Sequence, residues 1–517
     1  AVGQNSLGAN TTGNYNVAMG QDALANNTTG SENVAVGKAA LLNTTVGYTT
    51  AIGSDALKTN TTGSGNTATG RSALELNTTG SNNVGVGHNA LTNNTTASSN
   101  TAVGKDALFT NTTGNSNAAL GYQALEQNTT ASDNTGIGYL ALTDNTTGAR
   151  NTALGQAALG DNTTASDNTA VGSRALRHNT TGATNTAVGR ECLEANTTAS
   201  NNTGVGYQAL TSNTTGTGNV AVGAYSLGSN PDTSYNTAVG YAALWKNTAA
   251  NNTAIGYNAL YENTTGHSNI ANGKNALFNN TTGTYNIAVG IDALRLNTTA
   301  VRNTAVGGFA LNDATTGSYN QAFGYHALGS LTTAANNTAI GYTALDQDTT
   351  GAENVAVGNY SLVNNTTAHS NTAVGYAACQ GNTTGTRNVA IGSNALDANI
   401  THNDNVAVGY HALTNSDGHD GTAVGSQALY SVTSGEHNTG LGYAAGYDMT
   451  SGGNNLCLGY DAGRSDSPSG AITTASNIVV LGNDNVANLY CADTSISSSD
   501  SRDKTDVTNF THGLNWI

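Results

Sequence analysis

Short alternating segments recur along the chain, separated by polar turns. In residues 236–248, NTAVGYAALWKNT, a three-residue segment T-A-V puts Thr and Val on one side and Ala on the other. A period of two predicts a strand. The same arrangement pairs Val34 with Val36, Val220 with Val222 and Thr253 with Ile255, while the residue between them is almost always Ala or Gly. A face kept that small implies close approach of another backbone or a very thin interior. An Ala-Leu pair follows as a second apolar anchor, as at Leu24, Leu108, Leu210 and Leu396, and N-T-T-G supplies turn chemistry. No stretch carries the i, i+3, i+4, i+7 spacing of a helix for three turns.

The segments repeat with a fixed step. The glycine closing each one falls at Gly3, Gly20, Gly37, Gly53, Gly70, Gly87, Gly104 and Gly121, and on to Gly442 and Gly459, giving 28 copies. The step is 17 residues, shortened to 16 where it ends at Gly53, Gly256 and Gly425. The consensus reads N-T-A-V-G-Y-x-A-L-x-x-N-T-T-G-S-x. Because 17 is odd, a continuous strand would turn its faces over at each repeat, so turns must close each repeat into a coil. Stacked coils place like over like, Asn27 over Asn10 and Leu125 over Leu108, with Asn side chains bonding along the stack. The fold class expected is all-β: a parallel β-solenoid or β-roll of about 28 coils, roughly 130 Å long at a spacing of about 4.8 Å. Its core is meagre, about one Val, one Leu and some Ala per coil. The Ala/Gly face is therefore expected to pack near the threefold axis of an elongated homotrimer. Residues 1–463 form the repeat shaft. Residues 464–498, with Pro468, lose the beat and read as a transition or neck.

Composition narrows the function. Charged residues are 9% of the chain, against about a quarter in ordinary globular proteins. Such a composition suits disorder, but the strict period argues against it. The net charge of -16 excludes nucleic acid as a partner. No run of about 18 apolar residues offers a membrane span, and there is no secretory signal. The chain opens within a repeat, so it reads as the ordered part of a longer product. Cys192, Cys379 and Cys457 stand where other repeats carry Ala or Leu and read as small buried hydrophobes, and Cys491 is the fourth cysteine. His88, His178, His326, His402, His411 and His419 form no H-x-H or H-x-x-x-H pair, so neither a metal nor another cofactor is expected. Acidic residues occur singly, without the fixed carboxylate pair of a glycosidase.

Three surface features invite alternatives. The residue after the motif glycine is Tyr122, Tyr139, Tyr207, Tyr241 or Tyr257, but also Lys38, Arg71, His88, Lys105 or Arg190. It reads as a solvated rim, with an aromatic stripe for glycans as the alternative. The N-T-T sequons at Asn10, Asn60, Asn77, Asn94 and Asn128 read as turn formers. Thr11-Thr12, Thr28-Thr29 and their successors suggest an ice-binding solenoid, but neighbouring residues of a strand face opposite ways, leaving one Thr column.

Two regions resemble known families. The repeats over roughly 1–463 resemble the head repeats of trimeric autotransporter adhesins of the YadA type, which are left-handed parallel β-rolls packed as trimers; similar arrays occur in phage and virus tail fibres. The period here is longer than in the adhesin heads. The segment SNIVVLGNDNVANLY and the SSSDSRDKTDVTNFTHGLNWI that ends the chain resemble the junction with an S74-type intramolecular chaperone. Its S-D-x-R-x-K signature matches Ser499, Asp500, Ser501, Arg502, Asp503 and Lys504. The resemblance implies a chaperone that drives trimer assembly and then cuts itself off, with Ser499 as nucleophile and Lys504 as base. Only its start is present, residues 499–517. The expected function is that of a structural phage fibre or spike shaft on the virion surface, contributing to host attachment, with no enzymatic role for the shaft. Its partners would be two further copies, other virion proteins and a host receptor or glycan. A bacterial trimeric surface adhesin is the alternative, and a glycan depolymerase or ice-binding solenoid ranks third.

Overall fold

The computed structural model describes residues 1–488. Among them are 28 strands of three residues each, numbered in chain order from β1 (Val17–Met19) to β28 (Val479–Leu481). They fall into two compact units. Ala1–Thr282 holds β1 to β16 (Ile270–Asn272), and the second unit, from Gly283, holds β17 (Ile287–Val289) to β28. The repeat itself shows no boundary there.

Within each unit every strand pairs in parallel with the next. In the first, Thr169, Ala170 and Val171 face Thr186, Ala187 and Val188. In the second, Thr372, Ala373 and Val374 face Val389, Ala390 and Ile391. Val2 bridges Met19 and extends the first stack by one coil. The partner of each strand is the same chain one repeat later, so a single chain closes its own coils. The parallel β-solenoid with a 17-residue repeat expected from the sequence is thus present.

Sequence chemistry explains the coil. Gly104 ends its strand at φ +140, a conformation that favours glycine, and an added Cβ would press into the carbonyl oxygen of Gly121 on the next coil. Three further residues per coil turn the chain in the left-handed region, for example Asp106, Leu108 and Ser116 at φ 56, 49 and 59. Such residues are strained by about 1–2 kcal/mol each. They are held by bonds between coils: Asp106 N–H donates to His88 O at 3.0 Å and Leu108 N–H to Ala124 O at 3.0 Å.

The structure reverses the expected assignment of the strand faces. Ala102 and Ala107 with Leu108 are fully buried, while the outer strand residues are half-buried or exposed, as in the pattern of Thr101–Val103. The Ala/Gly face therefore lines the interior of its own coil and is not available near a threefold axis. Of the two causes of small size, the thin interior is the operative one. At Gly136 an added Cβ would stand 3.2 Å from Leu125 Cγ. Leucine fills the space opposite the strand, and Val belongs to the outer surface.

Two buried Asn columns complete the interior. Asn94 Nδ2 donates to Asn77 Oδ1 at 2.8 Å and to Ala97 O at 3.0 Å, and Asn111 repeats this one coil on. In the second column Asn83 Oδ1 accepts from Asn100 N–H at 3.0 Å, and Asn83 Nδ2 donates to Ala97 O at 2.8 Å. Both columns meet at the carbonyl of the Gly or Ala that ends the N-T-T turn. Each bond adds a net 0.5–1.5 kcal/mol or so, and losing one partner leaves a buried polar group unsatisfied.

The stack continues past residue 463. β28 follows β27 (Leu456–Leu458) after 23 residues and pairs with it in parallel, Leu456 facing Val479. The additional residues make a turn around 464–470, after which Ile472 is buried in the place that Asn holds in other coils.

Candidate functional site

Ser499 and Lys504, the residues carried by the chaperone resemblance, lie outside the described residues, as does Cys491. The described residues present two surfaces.

The first surface is the outer face of the strand column. Val17, Ile52, Leu120, Leu154, Ile255 and Ile270 are all exposed there in the first unit, as are Phe323, Ile340, Ile391 and Leu441 in the second. Val17 and Ile270 hold the first strand position, whose column is mostly Thr; the others hold the third, where in-register pairing lines Val, Ile and Leu into an apolar stripe within each unit, broken in the first at Thr69 and Asn272. A monomer rarely leaves a long apolar stripe uncovered.

The second surface begins with the residue after the motif glycine. Tyr122 and Tyr139 are exposed and stack with ring centroids 5.5 Å apart. Around Tyr241 the pattern becomes a groove. Tyr241 and Tyr257 stack at 5.4 Å, and four residues further along each coil Trp245, Tyr261 and Phe278 form a second row, with Tyr261 and Phe278 stacked at 5.3 Å. Tyr225 closes one end, edge-on to Tyr241 at 5.6 Å and to Trp245 at 5.5 Å. Ala242 and Asn258 lie between the rows, and the groove has a volume of about 430 Å³. Gly228 admits Trp245, since a Cβ there would collide with the indole. The sequence reading singled out Tyr241 and Tyr257 but missed Trp245, Tyr261 and Phe278. The signal was present, because a step of four along a coil combined with a step of 16 or 17 between coils defines a two-row surface.

Several charged groups pair with one another across coils. Arg150 pairs with Asp167 at 2.6 Å and Arg387 with Asp404 at 2.7 Å, each one repeat apart. Glu191 accepts from Gln208 and is flanked by Arg174 and Arg190, and those hydrogen bonds hold its carboxyl down to about 2. Acidic residues that are single in sequence become column neighbours. Burial, then the nearby Asp161, raises the Asp144 carboxyl, while Asp161 itself meets His178 Nδ1 at 2.7 Å. Among the described residues no group of three or more His, Cys, Asp or Glu could hold a metal ion.

The remaining candidates are structural. Cys192, Cys379 and Cys457 are buried free thiols, and burial pushes them up to about 12, 12 and 11. The sequon residues Asn60, Asn77, Asn94 and Asn128 are fully buried and engaged in the column, so their amides are closed to modification. The first Thr of N-T-T spends its hydroxyl on the next coil, as Thr78 Oγ1 does on Thr95 O at 3.0 Å, which leaves the second Thr as the exposed column. No helix is long and apolar enough to cross a membrane among the described residues. In comparisons with known proteins, no family model matches the chain and no curated protein matches it significantly in sequence.

Proposed function

We propose that the chain is the shaft of a phage or virus fibre, assembled as a homotrimer at the virion surface and contributing to host attachment. The observation that carries this reading is the exposed apolar stripe along the stacked strands, running through Met19, Ile52, Leu120 and Leu154 in the first unit and Phe323 and Ile340 in the second. Copies of the chain meeting along this stripe would cover it, and this outer face takes the place of the Ala/Gly face as the threefold interface. A stack of coils that repeats one contact suits load-bearing and projection better than chemistry. Its attachment partners would be other virion proteins at one end and a host receptor or glycan. The S74-type signature at Ser499 and Lys504 supports assembly through a chaperone that then releases itself.

The test is the native and denatured mass of the full-length gene product. A native trimer with a subunit ending just before Ser499 is the expected result. An uncut trimer removes the protease role of Ser499 and Lys504 and keeps the shaft. A folded monomer overturns the fibre.

A further inference from the structure

We propose that the groove between the two aromatic rows of the first unit is a binding site for an uncharged carbohydrate chain. The proposal rests on the attachment role above and specifies its ligand.

The argument begins with shape. Tyr241 and Tyr257 form one wall, and Trp245, Tyr261 and Phe278 the other. About 430 Å³ lies between them, within the range of roughly 300–1,000 Å³ typical of ligand sites. The rows run along the stack, so the groove is open to a polymer lying lengthwise. Stacking covers part of each ring face with its neighbour, so the rows offer ring edges and the remaining uncovered faces, an apolar surface on which the C–H groups of a pyranose pack.

Charge then selects the sugar. All eight lining residues are Tyr, Trp, Phe, Ala or Asn, none of them charged. Lys246 lies 5.8 Å from the centre of the Tyr261 ring and is neutralised by Glu262 at 2.6 Å, and Lys274 follows Tyr257 in the first row, one coil on. With a net charge of -16 on the chain, an anionic glycan would be repelled, and a lysine at the end of the row would offset only one of those charges. Tyrosine hydroxyls and an amide suit neutral hydroxyl groups. Asn258 adds a second observation. Its Oδ1 is buried at the groove lining and meets no hydrogen-bond partner, an acceptor that a sugar hydroxyl would satisfy once the amide turns outward.

The array supplies its own control. Tyr122 and Tyr139 stack at 5.5 Å like the groove tyrosines, but four residues on from them stand Glu126 and Thr143, so no second wall exists. A sticky tyrosine rim predicts equal binding at both places, whereas a built groove predicts binding at one.

The experiment uses the full chain carrying Trp516→Phe, which leaves Trp245 as its one remaining tryptophan. Cellohexaose, maltohexaose, chitohexaose and mannohexaose are titrated while Trp245 emission is followed, with polygalacturonate as the anionic arm. At least one neutral hexaose is expected to shift the emission saturably. Tyr241→Ala is then expected to weaken it about tenfold or more, while Tyr139→Ala leaves it near the parent value. Circular dichroism confirms that each variant keeps the coil. The proposal is overturned if no neutral hexaose saturates by about 10 mM, if only polygalacturonate binds, or if Tyr139→Ala and Tyr241→Ala weaken binding alike. Trimer mass and emission are independent readouts, so the shaft and the groove can fail separately.

Discussion

Asp348 stands at a position of the buried Asn column and should set a pH limit on the second unit. It is fully buried. One neighbour in the column is Leu331, which offers no polar group, and the other is Asn365. Its oxygens accept from Gly351 N–H at 2.7 Å and Asn354 Nδ2 at 3.4 Å. A carboxylate cannot donate to the turn carbonyl as Asn111 does to Gly114 O at 3.0 Å. Burial dominates these bonds and pushes the carboxyl from 3.8 up to about 7. The folded chain therefore holds this proton more tightly than the unfolded chain. The stability it contributes is fully present below about 3.8, falls as pH rises, and is gone above about 7. At about 1.4 kcal/mol per pH unit the interval amounts to a ceiling of about 4 kcal/mol. Asp348→Asn removes the ionisation and restores a donor, so it should stabilise the coil at pH 8 and change little at pH 4. In a nearest-neighbour array the effect is local. Amide exchange at Thr349 and Gly351, corrected for intrinsic rates, should therefore accelerate between pH 4 and pH 8 by up to about a thousandfold more in the parent than in the variant. Parallel pH profiles for the two proteins would refute this account of Asp348.

Four other outcomes follow from the same interior. Asn94→Ala strands Asn77 Oδ1 and takes the acceptor from Asn111 Nδ2; a loss of about 2–4 kcal/mol is expected, measured by denaturant midpoint. Gly104→Ala should destabilise by about 3 kcal/mol or more, since φ +140 and the carbonyl of Gly121 both oppose a Cβ, and thermal unfolding reads it. Ala170→Val overpacks the thin interior at a fully buried position and should lower stability by about 1–3 kcal/mol; a denaturant midpoint unchanged from the parent would contradict the face assignment. Cys192, Cys379 and Cys457 should resist iodoacetamide at pH 8 until the chain is unfolded, as mass spectrometry of the labelled peptides would show.

Much of the fold was legible because the repeat states it many times over. The alternation in T-A-V, the recurring glycine and the odd period together required short strands and closed coils, and the Asn column followed from stacking like on like. The facing of the strand was not legible. Period two separates Val34 and Val36 from Ala35 but does not say which side is inside, and hydrophobicity alone favours the wrong one. Leu24 decides it, because a leucine turned inward by positive φ leaves room opposite only for Ala or Gly, and that φ is a property of the closed coil. The groove was half legible for a related reason. Tyr241 and Tyr257 share a column visible at a fixed offset, but their opposition to Trp245 and Tyr261 depends on how the coil bends between them. Charge pairs such as Arg150 and Asp167 were readable from spacing alone once 17 residues meant contact.

The three 16-residue coils show how this chain changes length. Val34 still faces Thr50, and Thr237 still faces Thr253, so the missing residue is absorbed by a turn and the ladder carries on undisturbed. The longer loop around 464–470 is absorbed in the same way between β27 and β28. Small insertions and deletions are thus confined to corners, and a whole coil added to or removed from a unit would change the length of its stack by about 4.8 Å. Lineages of such a gene can therefore tune how far the protein extends without redesigning any contact, and the coil, more than the residue, becomes the unit on which selection for length acts.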